Sequence, residues 1–271
     1  MKNTRKFIKN IFIKTGTLSI LDTLNYFAAF IQNFSKNKRY KWLHPNFRFP
    51  SDYYLYETYK LDYRQYKEDG ELTAAEILEW TREYLPRTPK ILEWGCGVAR
   101  VIRHIPNLVP VDLPVYGTDI NRAMINWDAK NISDVTFSVN DYKPPIKFDD
   151  NQFDLVFALS VFTHIEDEFQ ETWLKEISRI VQTGGIFLFT THGIKYRKNL
   201  NASQTEELKL NGSVTIKFKK NGHRMMNTYN DAEHFKNVIA QYFEVIEFFD
   251  GVKFPEKFGG QDLWIVKKFK R

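Results

Sequence analysis

Ile91-Leu92-Glu93-Trp94-Gly95-Cys96-Gly97 is a short apolar run that carries one carboxylate and closes on two glycines. The run reads as a buried strand, the glycines as a tight turn, and the residues to about Ile105 as a helix. Working downstream, apolar runs recur at 115–118, ending at Asp119, at 135–139, ending before Asp141, and at 153–159 and 185–191. Helical spacing separates them at 121–130 and at 169–181, where Trp173, Leu174, Ile177 and Ile180 point inward. A further helix at 231–240 and strands at 243–249 and 263–267 complete the alternation. Strands that alternate with helices in this way predict an α/β chain with a parallel sheet covered on both faces. Ligands of such sheets bind outside the carboxyl ends of the strands.

The alternation pauses after Gly193. There, 213–218 and 224–229 flank Asn221-Gly222, a type I′ hairpin signal. Upstream, Thr73 followed by Glu76 is a capping-box pattern that predicts a helix from Thr73 to about Tyr84, stopped by Pro86. Residues 41–70 are rich in aromatic and charged side chains and read as irregular structure with short helix. The expected division is a basic, aromatic helical extension and lid over 1–70, then one ligand-binding domain over 71–271 with a hairpin insertion at about 194–230.

A chain of 271 residues with 43% apolar and 16% aromatic content buries a sizeable core, which excludes a disordered tail protein. Its single cysteine, Cys96, excludes an intrachain disulfide and a cysteine-based zinc site, and suits a reducing compartment. Net charge is +6, but residues 1–41 hold nine basic side chains against Asp22, so residues 42–271 sum to −2. The body therefore offers no general field for nucleic acid.

The basic front end has no apolar run long enough to span a bilayer and no secretory cleavage pattern, so a cytoplasmic location is expected. Leu21, Leu24, Phe27, Ala28, Ile31 and Phe34 fall at helical spacing. Packing of this stripe on its own domain is the first expectation. Joined to the lysines at 2–14, residues 1–34 also fit peripheral contact with anionic lipid.

The glycine turn invites a dinucleotide such as NAD, with Asp119 on ribose hydroxyls. Two residues oppose it. Arg100 stands where the third fingerprint glycine belongs, and Glu93 would repel a pyrophosphate at the helix N-terminus while suiting a cation. The turn asks for a positively charged ligand with a ribose.

With those demands the chain resembles the class I S-adenosylmethionine-dependent methyltransferases over about 73–268. The likeness rests on the first stretch, on Tyr116-Gly117-Thr118-Asp119, on Asn140-Asp141, and on Phe153-Asp154-Leu155-Val156-Phe157-Ala158-Leu159-Ser160-Val161-Phe162-Thr163-His164. It implies a Rossmann-like, seven-stranded, mostly parallel sheet with helices on both faces, an antiparallel last strand and S-adenosylmethionine as cofactor. It also implies the site residues. Glu93, Gly95, Cys96, Gly97 and Arg100 belong to the first turn, with Glu93 and the glycine backbone facing the methionine part and Cys96 a small filler. Asp119 and Ile120 serve the ribose side, Asp141 and Tyr142 border the adenine, and Leu159 and Ser160 stand beside the sulfonium. Ala99 replaces the usual third glycine.

Methyl transfer is an in-line displacement that needs alignment and, for a hydroxyl acceptor, a base. His164 and His192, after the fourth and fifth strands, are the candidates, His164 first; an ordinary loop hydrogen-bonding role for either stays open. No Asn-Pro-Pro-aromatic tetrad follows the fourth strand, so amino-group methylation of adenine or glutamine is not expected. Leu159–His164, Thr191-His192-Gly193 and Gly260-Gln261-Asp262-Leu263 are most similar to bacterial enzymes associated with surface-glycan systems, which implies O-methylation of a sugar or phosphorylated glycan precursor. Tyrosines at 53–66 suit a sugar-stacking lid or packing for the front helices, Lys195, Arg197 and Lys198 a phosphate, and Gln261 and Asp262 the acceptor pocket. Asp119, Asp141 and Asp262 do not form a spacing that demands a metal. A non-catalytic cofactor-binding partner with this fold, or a methyltransferase for another small molecule, stays open.

Overall fold

The computed structural model describes residues 18–109, 113–217, 226–255 and 257–269. The chain divides into two compact units, Met1–Thr73 and Ala74–Arg271.

The first unit is helical: α1 (Leu18–Leu43), α2 (Asp52–Tyr59) and the start of α3 (Tyr63–Thr81). Its packing comes from aromatic rings and from polar side chains that serve the α2–α3 corner. Tyr26 of α1 meets Tyr56 edge-on, with centroids 5.3 Å apart. Asn37 donates to the Leu61 carbonyl at 2.7 Å and accepts from the Tyr63 amide at 3.1 Å. These bonds hold a corner in which Lys60 and Leu61 both take positive φ, +50° and +64°. Leu55, Leu61 and Tyr66 are fully buried, and Tyr56 and Tyr63 nearly so, which makes those tyrosines core packing of this unit.

Three expectations change here. Residues 41–70 are not mainly irregular, because α2 and α3 occupy much of them. The helix expected to open at Thr73 begins ten residues earlier, where Asp62 caps it by accepting from the Gln65 amide at 3.0 Å. Thr73 lies inside α3 and donates from Oγ1 to the Asp69 carbonyl at 2.6 Å, the back-bond of a mid-helix threonine. Finally, Leu24, Phe27, Ile31 and Phe34 are exposed and do not pack on their own domain. Tyr26, Ala29, Phe30, Asn33, Asn37 and Tyr40 face inward instead. The lysines at 2–14 lie outside the described residues.

The second unit is built on a seven-stranded sheet of order β3-β2-β1-β4-β5-β9-β8. The strands are β1 (Ile91–Trp94), β2 (Val115–Asp119), β3 (Thr136–Val139), β4 (Phe153–Ala158), β5 (Val181–Thr191), β8 (Phe243–Phe249) and β9 (Asp262–Lys268). β1 to β5 pair in parallel, while β9 runs against both of its neighbours. Winding reverses between β1 and β4, and the carboxyl ends of those strands border the crevice.

Period-two alternation sends successive β5 side chains to opposite faces. Phe187 and Phe189 join Trp94, Phe162, Trp173 and Trp264 on one side; Ile186 and Leu188 join Ile91, Leu155, Phe157 and Ile265 on the other. Each such side chain contributes roughly 1.5–3 kcal/mol on full burial. The helices are α4 (Ile105–Leu108), α5 (Arg122–Asn131), α6 (Asp167–Ile180), α7 (Ala202–Asn211) and α8 (Ala232–Ile239). On α6 the inward residues Trp173, Leu174, Ile177 and Ile180 are buried as expected.

The helix expected directly after the glycine turn is reduced to a 3₁₀ turn at Ile102–His104 and the single turn of α4. Ala99 at φ +51° turns the chain out of a helical path, and the Ile102 amide is spent on the Glu93 carboxylate. β6 (Ser213–Lys217) and β7 (Met226–Asn230) form a separate antiparallel pair. Asn221-Gly222 lies outside the described residues. No helix among the described residues is long and apolar enough to cross a membrane.

Candidate functional site

The glycine turn is anchored by backbone bonds at the end of β1. Gly95 and Cys96 both donate to the Thr118 carbonyl, at 2.7 and 3.0 Å. Gly95 takes φ +76°, and a Cβ there would lie 2.3 Å from Val161 Cγ2. Gly97 takes φ +56°, and a Cβ there would meet nothing within 4 Å. One glycine is demanded by packing and by backbone; the other opens onto empty space. Cys96 is buried, its Sγ 3.1 Å from where a Gly117 Cβ would stand, and burial pushes its thiol well above its ordinary range. It fills space.

Glu93 is buried at the base of the turn, accepting from the Ile102 amide at 2.9 Å. Burial raises its carboxyl to about 8, against the opposing pull of the Arg100 charge and the Ile102 amide. A buried acid in that state gains most from a cation brought beside it. Asp119, ending β2, accepts from Gly97 N at 2.9 Å through Oδ2 and from Asn121 N at 2.8 Å through Oδ1. One carboxylate thus couples the glycine turn to the N-terminus of α5. Beside it Ile120 is 57% exposed, an apolar surface at the mouth of the crevice.

At the end of β3 it is Asn140, not Asp141, that is buried. Thr118 Oγ1 donates to Asn140 Oδ1 at 3.0 Å, and Asn140 Nδ2 donates to the Asp141 carbonyl at 2.8 Å. Asp141 is exposed. The Tyr142 hydroxyl lies 3.8 Å from Met226 Sδ and its ring meets Phe169 edge-on, so the ring reaches toward α6 and β7.

Ser160 follows β4 at φ +62°, its amide donating to Thr190 Oγ1 at 2.8 Å and its hydroxyl accepting from Gln261 Nε2 at 2.9 Å. The ends of β4, β5 and β9 are joined there, with Leu159 partly buried alongside. His164 Nδ1 lies 3.0 Å from the Met226 carbonyl and must donate to it, which leaves the lone pair of the neutral ring on Nε2. His192 follows β5, is 8% exposed, and stacks on Tyr196 with centroids 4.2 Å apart. Its Nδ1 is buried with no partner, and burial, aided by His164, lowers it to about 4. Both histidines lie against the same strand, β7, His164 through the Met226 carbonyl and His192 through its backbone, whose carbonyl accepts from Asn230 N.

Asp262, opposite Thr191 in register, is 2% exposed and accepts from Gly251 N at 3.0 Å. Burial raises it to about 6. A Cβ on Gly193 would fall 1.8 Å from its Oδ2, so Gly193 is what admits this carboxyl. Two of the basic side chains expected to meet a phosphate are engaged: Lys195 donates to the carbonyls of Pro255 and Gly259, and Arg197 pairs with Asp231 at 2.7 Å. Lys198 is exposed.

Hydrogen bonds therefore tie Gly97 to Asp119, Gly95 to the strand that Asp119 ends, Ser160 to Gln261, and His164 to β7. Asp141 stands outside that network, and Tyr142 is committed elsewhere. Asp128 was not anticipated. It faces inward from α5, fully buried with neither carboxyl oxygen partnered, and burial raises it to about 8. Its signal is a carboxylate on the Ile125–Ile132 stripe of an otherwise ordinary helix.

Residues 92–189, from β1 through β5, match a family model described as a methyltransferase domain. Among solved structures, a SAM-dependent methyltransferase from Methanosarcina mazei aligns with TM-score 0.55 at 17% identity, covering 71% of this chain and 98% of that one. The PH0226 protein of Pyrococcus horikoshii OT3 aligns with TM-score 0.54 at 19% identity, over 82% of this chain and 100% of its own. The glycopeptide N-methyltransferase MtfA, solved with sinefungin, aligns with TM-score 0.51 at 11% identity, over 73% and 94%. At such identities the likeness to these structures is one of fold.

Proposed function

We propose that this S-adenosylmethionine-dependent methyltransferase delivers its methyl group to a hydroxyl of a sugar or phosphorylated glycan precursor of surface polysaccharide. When bound, the cofactor supplies an electrophilic methyl carbon on a positively charged sulfur. The chain's own residues fit it. A buried carboxyl at Glu93 suits a cation, Gly97 leaves room above the turn, and Asp119 and Ile120 offer a polar and an apolar partner to a nucleoside. Cys96 and Arg100 complete the turn, and Leu159 and Ser160 wall the side toward the acceptor. Asp141 and Tyr142 remain the adenine border in this proposal.

The observation that carries O-methylation is the pinned tautomer of His164. Its Nδ1 is bound to a carbonyl, so Nε2 is the atom that takes a proton from an acceptor hydroxyl. His192 serves less well, since its unpartnered Nδ1 is buried and weakly basic. Gln261 and Asp262, beside Ser160 and Gly193, are the proposed contacts to acceptor hydroxyls. The same proposal keeps the protein in the cytoplasm, with peripheral membrane contact at its basic front end.

Incubation of cell-surface glycan precursors with isotopically labelled S-adenosylmethionine, followed by mass analysis, tests the assignment. His164→Ala is expected to slow transfer to a hydroxyl acceptor by about a hundredfold, and His192→Ala by less. Full activity in both variants removes the base. Stabilisation by the cofactor without transfer to any glycan marks a non-catalytic partner.

A further inference from the structure

We propose that the outward face of α1 is a docking surface for an anionic lipid bilayer, with the helix lying along the membrane plane. This deepens the peripheral contact proposed above and is independent of the acceptor.

α1 has two apolar faces. Tyr26, Phe30, Asn33, Asn37 and Tyr40 recur every three or four residues and serve the first unit. On the other side Leu24, Phe27, Ile31, Phe34 and Trp42 are each between 51% and 77% exposed. Their separations of three, four, three and eight residues keep them in one stripe along five turns, about 27 Å of helix. Large apolar side chains left in water over that length mark an interaction surface.

Charge selects the occupant. Lys38 is exposed within the stripe and Arg39 and Lys41 are exposed on its flanks, while Lys2, Arg5, Lys6, Lys9 and Lys14 precede it in the chain. A second copy of this chain would bring the cations of this face against an equal set. An anionic bilayer takes both halves of the pattern, the aromatic and aliphatic groups at the acyl boundary and the ammonium groups among the phosphates. Asn25, Asn33 and the basic cluster keep the helix from crossing.

The test is cosedimentation of the full-length protein with vesicles of phosphatidylcholine alone and of phosphatidylcholine mixed with phosphatidylglycerol, at low and high salt. Binding to the mixed vesicles only, weakened by salt, is expected. Ile31→Asn with Phe34→Asn should lower partitioning by tenfold or more, and Lys38→Glu with Arg39→Glu by about fivefold for each cation removed, before the added repulsion. These side chains are exposed, so an unchanged melting temperature verifies folding. Trp42 gives a second readout: its emission should shift to the blue on mixed vesicles, and the shift should vanish in Trp42→Phe while pelleting persists. Absence of pelleting at low salt overturns the proposal. So does equal pelleting of the stripe variant, or a dimer in ultracentrifugation that Ile31→Asn dissolves. None of these readouts involves methyl transfer, so failure here leaves the acceptor assignment standing, and the reverse.

Discussion

Gly95 and Gly97 share one turn and one backbone region, yet their substitutions should fail in different ways. An alanine at 95 meets Val161 Cγ2 at 2.3 Å in addition to the left-handed strain at φ +76°. Gly95→Ala is expected to lower stability by about 2–4 kcal/mol in chemical denaturation, as overpacking and backbone strain act together. At 97 the strain alone applies, about 1–2 kcal/mol, and the methyl projects into open space. Gly97→Ala should therefore fold and show its defect in calorimetry, as S-adenosylmethionine affinity reduced by tenfold or more. A variant at 97 that binds normally would mean that the cofactor does not lie over this turn. Glu93, the glycines and Asp119 were legible in the sequence because each sits at a strand end, where chain order alone predicts convergence. The buried places of Asn140 and Asp128 were not, since what marks them is burial beside a distant partner, as with Asn140 and Thr118, or without one, as with Asp128.

At the level of elements, apolar runs identified every strand of the main sheet; β1, β4 and β5, parallel and largely buried on both faces, lose their alternation and are the most conspicuous. Helix starts were harder. Thr73-x-x-Glu76 and Asp62-x-x-Gln65 are both start patterns, and only the corner at Lys60 and Leu61 decides between them. With the chain turned back there, Asp62 is the first residue whose carboxylate reaches a free helical amide. Asp62→Ala should cost about 1 kcal/mol of stability, whereas Thr73→Ala, which exchanges a mid-helix back-bond for the best helix former, should fall within about 0.5 kcal/mol of the parent. Urea titrations of the two variants separate them, and equal losses would deny Asp62 its capping role. The capping box Asn201–Gln204 that opens α7 was overlooked for a related reason: its helix buries only Leu208 and so shows no apolar stripe to search for.

Across the whole molecule the buried titratable groups set a pH profile whose sign follows from the direction of each shift. Glu93 and Asp128 are raised to about 8, so the folded chain holds protons that an unfolded chain releases from about pH 4 upward. Their contribution to stability is full in acid and is lost as pH rises to 8. His192, lowered to about 4, works in the opposite sense: the unfolded chain takes up its proton first, and stability falls as pH drops from about 6.5 to 4. Two acids outweigh one histidine, and Asp262, raised to about 6, adds to them, so the ligand-free protein should lose stability as pH rises from about 4 to 8. A cation bound beside Glu93 favours its ionised form and releases the proton, so the cofactor should stabilise more at pH 8 than at pH 6. Ligand at a hundredfold over Kd adds about 2.7 kcal/mol, or roughly 5–10 °C for a unit of this size. Thermal melts with S-adenosylmethionine, S-adenosylhomocysteine and NADH over that range check this. Both adenosyl compounds should raise the melting temperature and NADH should not. The uncharged S-adenosylhomocysteine sulfur should show the weaker pH dependence, and Glu93→Gln should flatten both the alkaline slope of the free protein and the pH dependence of the shift. A free-protein profile with no alkaline slope, unchanged by Glu93→Gln, would mean that this carboxyl is ionised and solvated, and that the cation preference of the crevice has another origin.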